Sequence, residues 1–502
     1  MSTSMQVKII SNECIKPSSL TPQHLRIHKL SLLDQLVPST YVPTILFYLP
    51  SSIHPININI TVPMRSQLLK QSLSETLTHF HPLAGRIKDS LSIDCNDEGA
   101  RYIEAEVDSN LSQFLNHPDL SFLSQFLPGE VISWQEPEAT PGAHVAMMQV
   151  TNFACGGFVL GAFVSHMVVD GAALSAFLKA WAAATFRYIE PPNTPHHIYT
   201  KGNFDAPSLF PQNDEYPREA TMMALFSHFL KVGNCVTRRI VFDAPALATL
   251  KKKAASSTVP NPTRVEVVTT LLWKHIMAAF KAKSNIVQNQ RPTLMTHIVN
   301  LRRRAVPPFS EYTMGNFVFM ATALSQCSSN TEDDDQNEDD LDYVDDNRDR
   351  ELGRLARHVR EAVSKLDGDF VQSLQRDGTR GLIKFCEPLK EVGETVSRAG
   401  ADATDGQGLD YIGFNSRCNL GLYEADFGWG KPVWVASGGA KRGAEEAPYM
   451  NMVLLMDTRS GDGVEAWVCL DERDMAILEG DPHILAFVSL NPSPLSITIK
   501  IP

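Results

Sequence analysis

Nowhere in these 502 residues do 18 apolar side chains follow one another. A helix needs about 20 to cross a bilayer, so no membrane span is expected. The start, Met1 to Lys8, has no basic end followed by an apolar stretch, and the last four residues, Ile499-Lys500-Ile501-Pro502, match no retention or peroxisomal address. A cytoplasmic location is therefore expected. Cys-x-x-Cys pairs are missing too. The eight cysteines (Cys14, Cys95, Cys155, Cys235, Cys327, Cys386, Cys418 and Cys469) are scattered, which argues against a zinc knuckle or a redox motif and for free thiols in a reducing compartment. Basic charge is not in excess: 45 Lys and Arg stand against 57 Asp and Glu, for a net charge of −12, so nucleic acid is not an expected partner. There is no Gly-x-Ser-x-Gly elbow for a covalent hydrolase, and no second histidine cluster at ligand spacing that would suggest a metal.

The acidic charge is local. Residues 332 to 349 hold eleven acids and one Arg, leaving the rest of the chain near neutral. Such a segment has little to bury, and the stretch 328 to 350 reads as a disordered acidic insertion. The length exceeds what one core organises, about 250–300 residues. Two domains are expected, 1 to 195 and 226 to 502. The Pro-, Asn- and Asp-rich segment 196 to 225 is the expected linker or crossover loop.

Periodicity supplies the elements. The spacing of apolar residues between 66 and 80 marks a helix that stops at Pro82, and 91 to 107 reads as strands around a turn at Asn96 to Gly99. Strands are expected at 237 to 242, 295 to 301, 450 to 457 and 463 to 470, and helices over 246 to 255 and 266 to 282. The run from Cys155 to Ser165 is too continuously apolar for a half-exposed strand and reads as a buried one. It ends at His166. After Asp170-Gly171 an alanine-rich segment reads as a helix, so the unit is strand, turn, helix. Strand ends in open α/β sheets are where reactive groups collect. His166 is therefore a candidate general base, although a core His held by a carbonyl fits the same position. Asp170 can bond the imidazole, brace the turn or cap the helix. Ser165 and Cys155 read as strand residues rather than nucleophiles.

His166-Met167-Val168-Val169-Asp170-Gly171 and Asp426-Phe427-Gly428-Trp429-Gly430 resemble, in order and spacing, the two signatures of the plant BAHD acyltransferases. The resemblance extends to Leu30-Ser31-Leu32-Leu33-Asp34, His81-Pro82-Leu83-Ala84-Gly85-Arg86, Asn203-Phe204-Asp205, Asn300-Leu301-Arg302 and Gly315-Asn316-Phe317. The pattern is most similar to the branch that acetylates alkaloids and other small specialised alcohols. The resemblance implies an α/β fold of two chloramphenicol-acetyltransferase-like domains, each a mixed sheet with flanking helices, and an active-site channel between them. It also implies an O-acyltransferase, expected as a monomer, that uses acetyl-CoA or another acyl-CoA as co-substrate with no tightly bound cofactor and no metal. Its other partner would be a small-molecule alcohol. His166 would be the base in a ternary complex. Asp170 would be structural and paired with Arg302. Asp426, Gly428, Trp429 and Gly430 would form a structural motif.

Lys252 and Ser256, at the end of a helix, are candidates for the coenzyme A phosphates, with a solvated helix end as the plain alternative. Asn316 and backbone N–H groups are candidate oxyanion donors. One departure is visible: where many members of the family carry Ser-Trp ahead of the second signature, this chain has Ser416-Arg417.

Overall fold

The computed structural model describes residues 5–50, 61–129, 140–189, 201–216, 229–283, 292–325, 347–376, 409–438 and 448–496, with single helical positions at 383, 387, 390 and 394. Two mixed sheets dominate. The strands used below are β1 (Lys8–Ile15), β2 (Tyr41–Tyr48), β3 (Ala100–Val107), β4 (Ala146–Phe153), β5 (Phe158–Ser165), β6 (Cys235–Phe242), β7 (Thr293–Asn300), β8 (Val318–Ser325), β9 (Asp410–Ser416), β10 (Trp434–Ala436), β11 (Met452–Asp457), β12 (Val464–Asp471) and β13 (Ser489–Leu490). The first sheet runs β1-β3-β4-β5-β2-β10 and the second β8-β7-β9-β11-β12-β6-β13. Pairing is antiparallel except for β3 with β4, β7 with β9 and β9 with β11.

The expected strand into His166 is β5, and all eight of its residues are buried. Cys155 is not part of it: the residue lies in the turn between β4 and β5, where its sulfur accepts the Leu111 N–H. The 66-to-80 stripe is helix α1 (Val62–His79), and the alanine-rich segment is α2 (Gly171–Phe186). The two pack together on the first sheet. Trp181 of α2 is fully buried there and donates its indole N–H to Leu69 O and Ser72 Oγ, both at 3.1 Å. A buried Trp brings a large apolar area into the core only if its N–H finds a partner, and here α1 supplies it. On the second sheet lie α3 (Ala244–Ala254), α4 (Arg264–Lys283) and α5 (Asn347–Ser364).

Three findings add to the sequence expectations or shift them. First, the described part of the expected linker, 201 to 216, is firmly packed. Phe210 is fully buried against Phe317 in an edge-to-face contact of 5.7 Å, and its carbonyl accepts the Leu32 N–H at 3.0 Å. Burying one such ring is worth roughly 1.5–3 kcal/mol. Leu32, Leu33 and Phe210 share a core cluster with Val299, Leu301, Phe317 and Phe319, which packs the segment after residue 30 and the crossover onto the second sheet. Second, the acidic insertion ends earlier than its composition suggests. Residues 326 to 346 lie outside the described residues, but Asn347 opens α5, and Asp349 in its first turn meets Lys253 Nζ at 2.8 Å. An acid at a helix start is favourable, and the lysine gives it a partner. Third, no strand was expected at 434 to 436, where β10 crosses to the first sheet and pairs with β2.

Candidate active site

At the end of β5 the chain turns sharply. The His166 N–H donates to Thr40 O at 2.7 Å and the Val168 N–H to Ser165 O at 3.1 Å, so the turn is fixed by backbone bonds on both sides of the histidine. The His166 side chain is half-buried. Its Nδ1 is enclosed and has no hydrogen-bond partner among the described residues. Burial holds its pKa below the ordinary 6.5, with the Asp170 charge pulling the other way and the Arg417 charge adding to the depression. An imidazole kept neutral at physiological pH can accept a proton, which is what a general base requires.

Asp170 does not touch the imidazole. Its Oδ1 accepts the Ala173 N–H at 2.8 Å, the N-cap of α2. Its Oδ2 accepts the Arg302 Nη1–H at 2.6 Å and the Phe317 N–H at 3.0 Å. Arg302 is buried and fully engaged: Nε and Nη2 donate to Thr313 O, and Nη2 also to Gly315 O. The carboxylate thus caps the helix with one oxygen and holds the 313–317 loop of the second half with the other.

Asn316 in that loop is fully buried. Its Nδ2 donates to Asp34 Oδ1 at 2.9 Å and to the His166 carbonyl at 2.6 Å. Both amide N–H bonds are therefore engaged. That corrects the expectation of Asn316 as an oxyanion donor and leaves it tying the histidine turn in place. Asp34, not singled out as a site residue from sequence, completes the arrangement. Its Oδ1 also accepts the Asn316 backbone N–H at 2.8 Å, and its Oδ2 accepts the Ser31 N–H and O–H at 2.8 and 2.6 Å. Asp34 and Asp170 hold consecutive N–H groups, those of Asn316 and Phe317. Gly315 before them has φ +117°, and an added Cβ would sit 3.1 Å from Ala206 Cβ, so glycine is needed there. The signal available in sequence was the Ser31-x-x-Asp34 capping pattern, which marks a helix start but not its distant partner.

The second signature lies apart from this network. Asp426 Oδ1 accepts the N–H groups of Gly428 and Gly430 at 2.8 and 3.0 Å, closing a tight turn. Phe427 packs edge-on against Trp181, and Trp429 against Phe158. Gly428 has φ +98°, and a Cβ would meet Ile189 Cδ1 at 2.6 Å. The turn leads straight into β10, where Trp434 stacks on Phe47 at 4.9 Å. Lys252 is exposed at the end of α3, and Ser256 caps its own turn by accepting the Val259 N–H. Neither makes a contact with the His166 turn. Among the described residues no group of three His, Cys, Asp or Glu is arranged to hold a metal, and no helix is long and apolar enough to cross a membrane.

A neutral histidine at a strand end, with its carbonyl tied to Asn316 from the second half, fits acyl transfer between two bound substrates. The model of the Transferase family matches residues 5–485, and the chain belongs to that family, the BAHD acyltransferases. It is 45% identical over 505 residues to limonoid 7-O-acetyltransferase of Citrus sinensis, covering 98% of this chain and all of the relative. It is 44% identical to epi-neemfruitin B 7-O-acetyltransferase of Melia azedarach, again over 98% of this chain and all of the relative. The crystal structure of vinorine synthase superposes with a TM-score of 0.70 at 31% identity, covering 96% of this chain and 99% of that one. The fold class and the acyltransferase class expected from the sequence both hold. Members of the family use acyl-CoA as co-substrate.

Proposed function

We propose that this enzyme transfers the acetyl group of acetyl-CoA to one hydroxyl of a polycyclic terpenoid alcohol, with His166 as general base. The observation that carries the mechanism is the half-buried His166, kept neutral by burial and held by backbone bonds at the end of β5. Relatives named for limonoid 7-O-acetylation are 44–45% identical, whereas vinorine synthase is 34% identical, which favours a limonoid-type ring alcohol over an alkaloid.

The chemistry needs no further group. A hydroxyl with a pKa near that of water, about 15.7, is not ionised beforehand by an imidazole. His166 takes its proton as the oxygen attacks the thioester carbon. The tetrahedral intermediate expels the coenzyme A thiolate, which recovers that proton from the imidazolium. Products are the acetate ester and free coenzyme A. A thioester is already activated, so both substrates meet in one ternary complex, and proximity supplies much of the acceleration. Asp170 and Arg302 are positioning residues in this reading, and Asp426, Gly428, Trp429 and Gly430 shape a supporting turn. Lys252 and Ser256 are assigned to the coenzyme A phosphates. Lys252→Ala should then raise KM for acetyl-CoA about two- to five-fold at unchanged kcat, the scale of an exposed charge contact. The reading includes two domains, 1–195 and 226–502, acting as a cytoplasmic monomer; sedimentation and a fluorescent fusion test those two points.

The test is coenzyme A release and ester mass, measured with acetyl-CoA against a panel of terpenoid and alkaloid alcohols. His166→Ala should lower kcat at least about 10²-fold. Activity within a few-fold of the parent would refute the assignment. Initial-rate lines that intersect support the ternary complex. Parallel lines, with an acetyl adduct on enzyme mixed with acetyl-CoA alone, would refute it.

A further inference from the structure

Arg417 follows β9 in the second sheet and crosses to the first. Its N–H donates to Leu455 O at 2.7 Å, while its guanidinium Nη1 donates to Pro43 O at 2.9 Å and to Thr44 Oγ1 at 3.2 Å on β2. β2 pairs directly with β5, the strand that ends in the His166 turn. The Arg417 stem lies against the other end of that turn: a Cβ on Gly171 would sit 3.5 Å from Arg417 Cγ. Its charge reaches the imidazole, since it is one of the groups that depress the His166 pKa. Burial has brought the guanidinium itself down to about 10, so it remains a cation at neutral pH.

What this cation lacks is an anion. Among the described residues Arg417 forms no ion pair, and Nε and Nη2 donate to nothing. Nor are those two nitrogens fully enclosed. A guanidinium carries five N–H donors in a planar fork. Here one nitrogen is anchored, while the other two are unengaged and not fully enclosed, beside the catalytic turn. Removing a cation from water without a partner is costly, and a ligand oxygen that completes the fork recovers that cost on binding.

We infer that Arg417 is the acceptor-recognition residue of this enzyme, and that its Nε–H and Nη2–H fork receives a carbonyl or carboxylate oxygen carried on the alcohol close to the reacting hydroxyl. The inference rests on the acetyl-transfer reading and adds the substrate feature that reading leaves open. An anchored fork fixes direction as well as distance. An acceptor oxygen on it places the neighbouring hydroxyl toward His166, and an alcohol without that oxygen leaves the fork unfilled. Specificity of this kind is strong because the mismatched ligand strands a buried polar group.

Arg417→Met and Arg417→Lys are compared with the parent on paired ring alcohols: a hydroxyketone, the same skeleton with methylene in place of the carbonyl, and the matching hydroxy acid. Arg417→Met should raise KM for the hydroxyketone about ten-fold or more, the scale of a lost hydrogen bond to a charged donor. KM for acetyl-CoA and for the methylene alcohol should stay within about two-fold of the parent. Arg417→Lys keeps the charge but not the fork, so it should rescue the hydroxy acid better than the hydroxyketone. Equal losses on all three alcohols at unchanged KM would overturn the inference and place Arg417 in the framework or on the acyl group. So would an unchanged KM for the hydroxyketone. Calorimetric binding of the hydroxyketone without acetyl-CoA separates the two readings. Weaker binding by Arg417→Met than by the parent supports the inference even if no ester forms, and equal Kd values in parent and variant overturn it.

Discussion

Two arginines flank the His166 turn, and their surroundings are opposite. Every side-chain nitrogen of Arg302 is engaged, by Asp170 and by the carbonyls of Thr313 and Gly315. Among the described residues Arg417 has one side-chain nitrogen anchored, two unengaged and no carboxylate partner. A saturated cation has nothing left to offer a substrate and serves to join parts. An unsaturated one beside the reacting atoms can still take a ligand. The contrast separates building from recognition within a single shell of residues.

The largest expected effect tests the saturated side. Asp170→Ala strands Arg302 in the interior and should cost on the order of 3–5 kcal/mol, seen as a fall in denaturant midpoint. Asp170→Asn is scarcely gentler, because its amide would replace the oxygen that receives the Arg302 and Phe317 donors. The double variant Asp170→Asn/Arg302→Met should recover part of that loss, since no unpaired charge is left. If either single variant melts like the parent, the pair is not what joins the halves.

Asp34→Asn comes next. Ser31 and Asn316 both donate to it, so an amide would leave one of those donors unmet, at a cost of about 1–3 kcal/mol. Its kcat should fall with little change in either KM, because Asn316 would no longer hold the His166 carbonyl. A fall in stability with kcat untouched would remove Asp34 from the positioning network.

A smaller effect concerns pH. The base must be neutral, and burial lowers its pKa, so the acid limb of kcat/KM should lie below 6.5. Arg417 disfavours the imidazolium. In Arg417→Met the imidazolium is therefore easier to form, and the acid limb should move to higher pH. A limb that moves down would contradict the electrostatic link between the two residues. Smallest of all, removing residues 331–346 should leave turnover and melting temperature nearly unchanged, since loop length enters only through a logarithm. Extending the cut through Asp349 should lower the melting temperature, because that residue meets Lys253 at the start of α5.

The sequence was most legible where chemistry and turn lie together. His166, Asp170 and the strand and helix around them fall within thirty residues, and local periodicity located them. Asp34 was recognisable as part of a family pattern but not as a site residue, because its partner Asn316 is close only after folding. The same gap misdirected Asn316: nothing local shows that both its N–H bonds are already engaged. The packing of the crossover at 201–216 was not legible because Pro and Asn surround an isolated Phe210, whose burial depends on Phe317 from the other half. Three residues of β10 among glycines are too few to show alternation. Arg417 was visible only as a departure, and its meaning depends on which neighbours it lacks.

The origin of β10 bears on how the chain is made. The edge of β2 stays uncovered until residues 434–436 arrive, late in synthesis, because nothing earlier among the described strands pairs there. A nascent chain released before that point exposes an unpaired strand edge, a surface prone to joining other chains. Truncation upstream of Trp434 should therefore yield aggregate rather than a soluble first half. The closing contact is also among the most distant in the sequence, which places its formation at the slow end of folding.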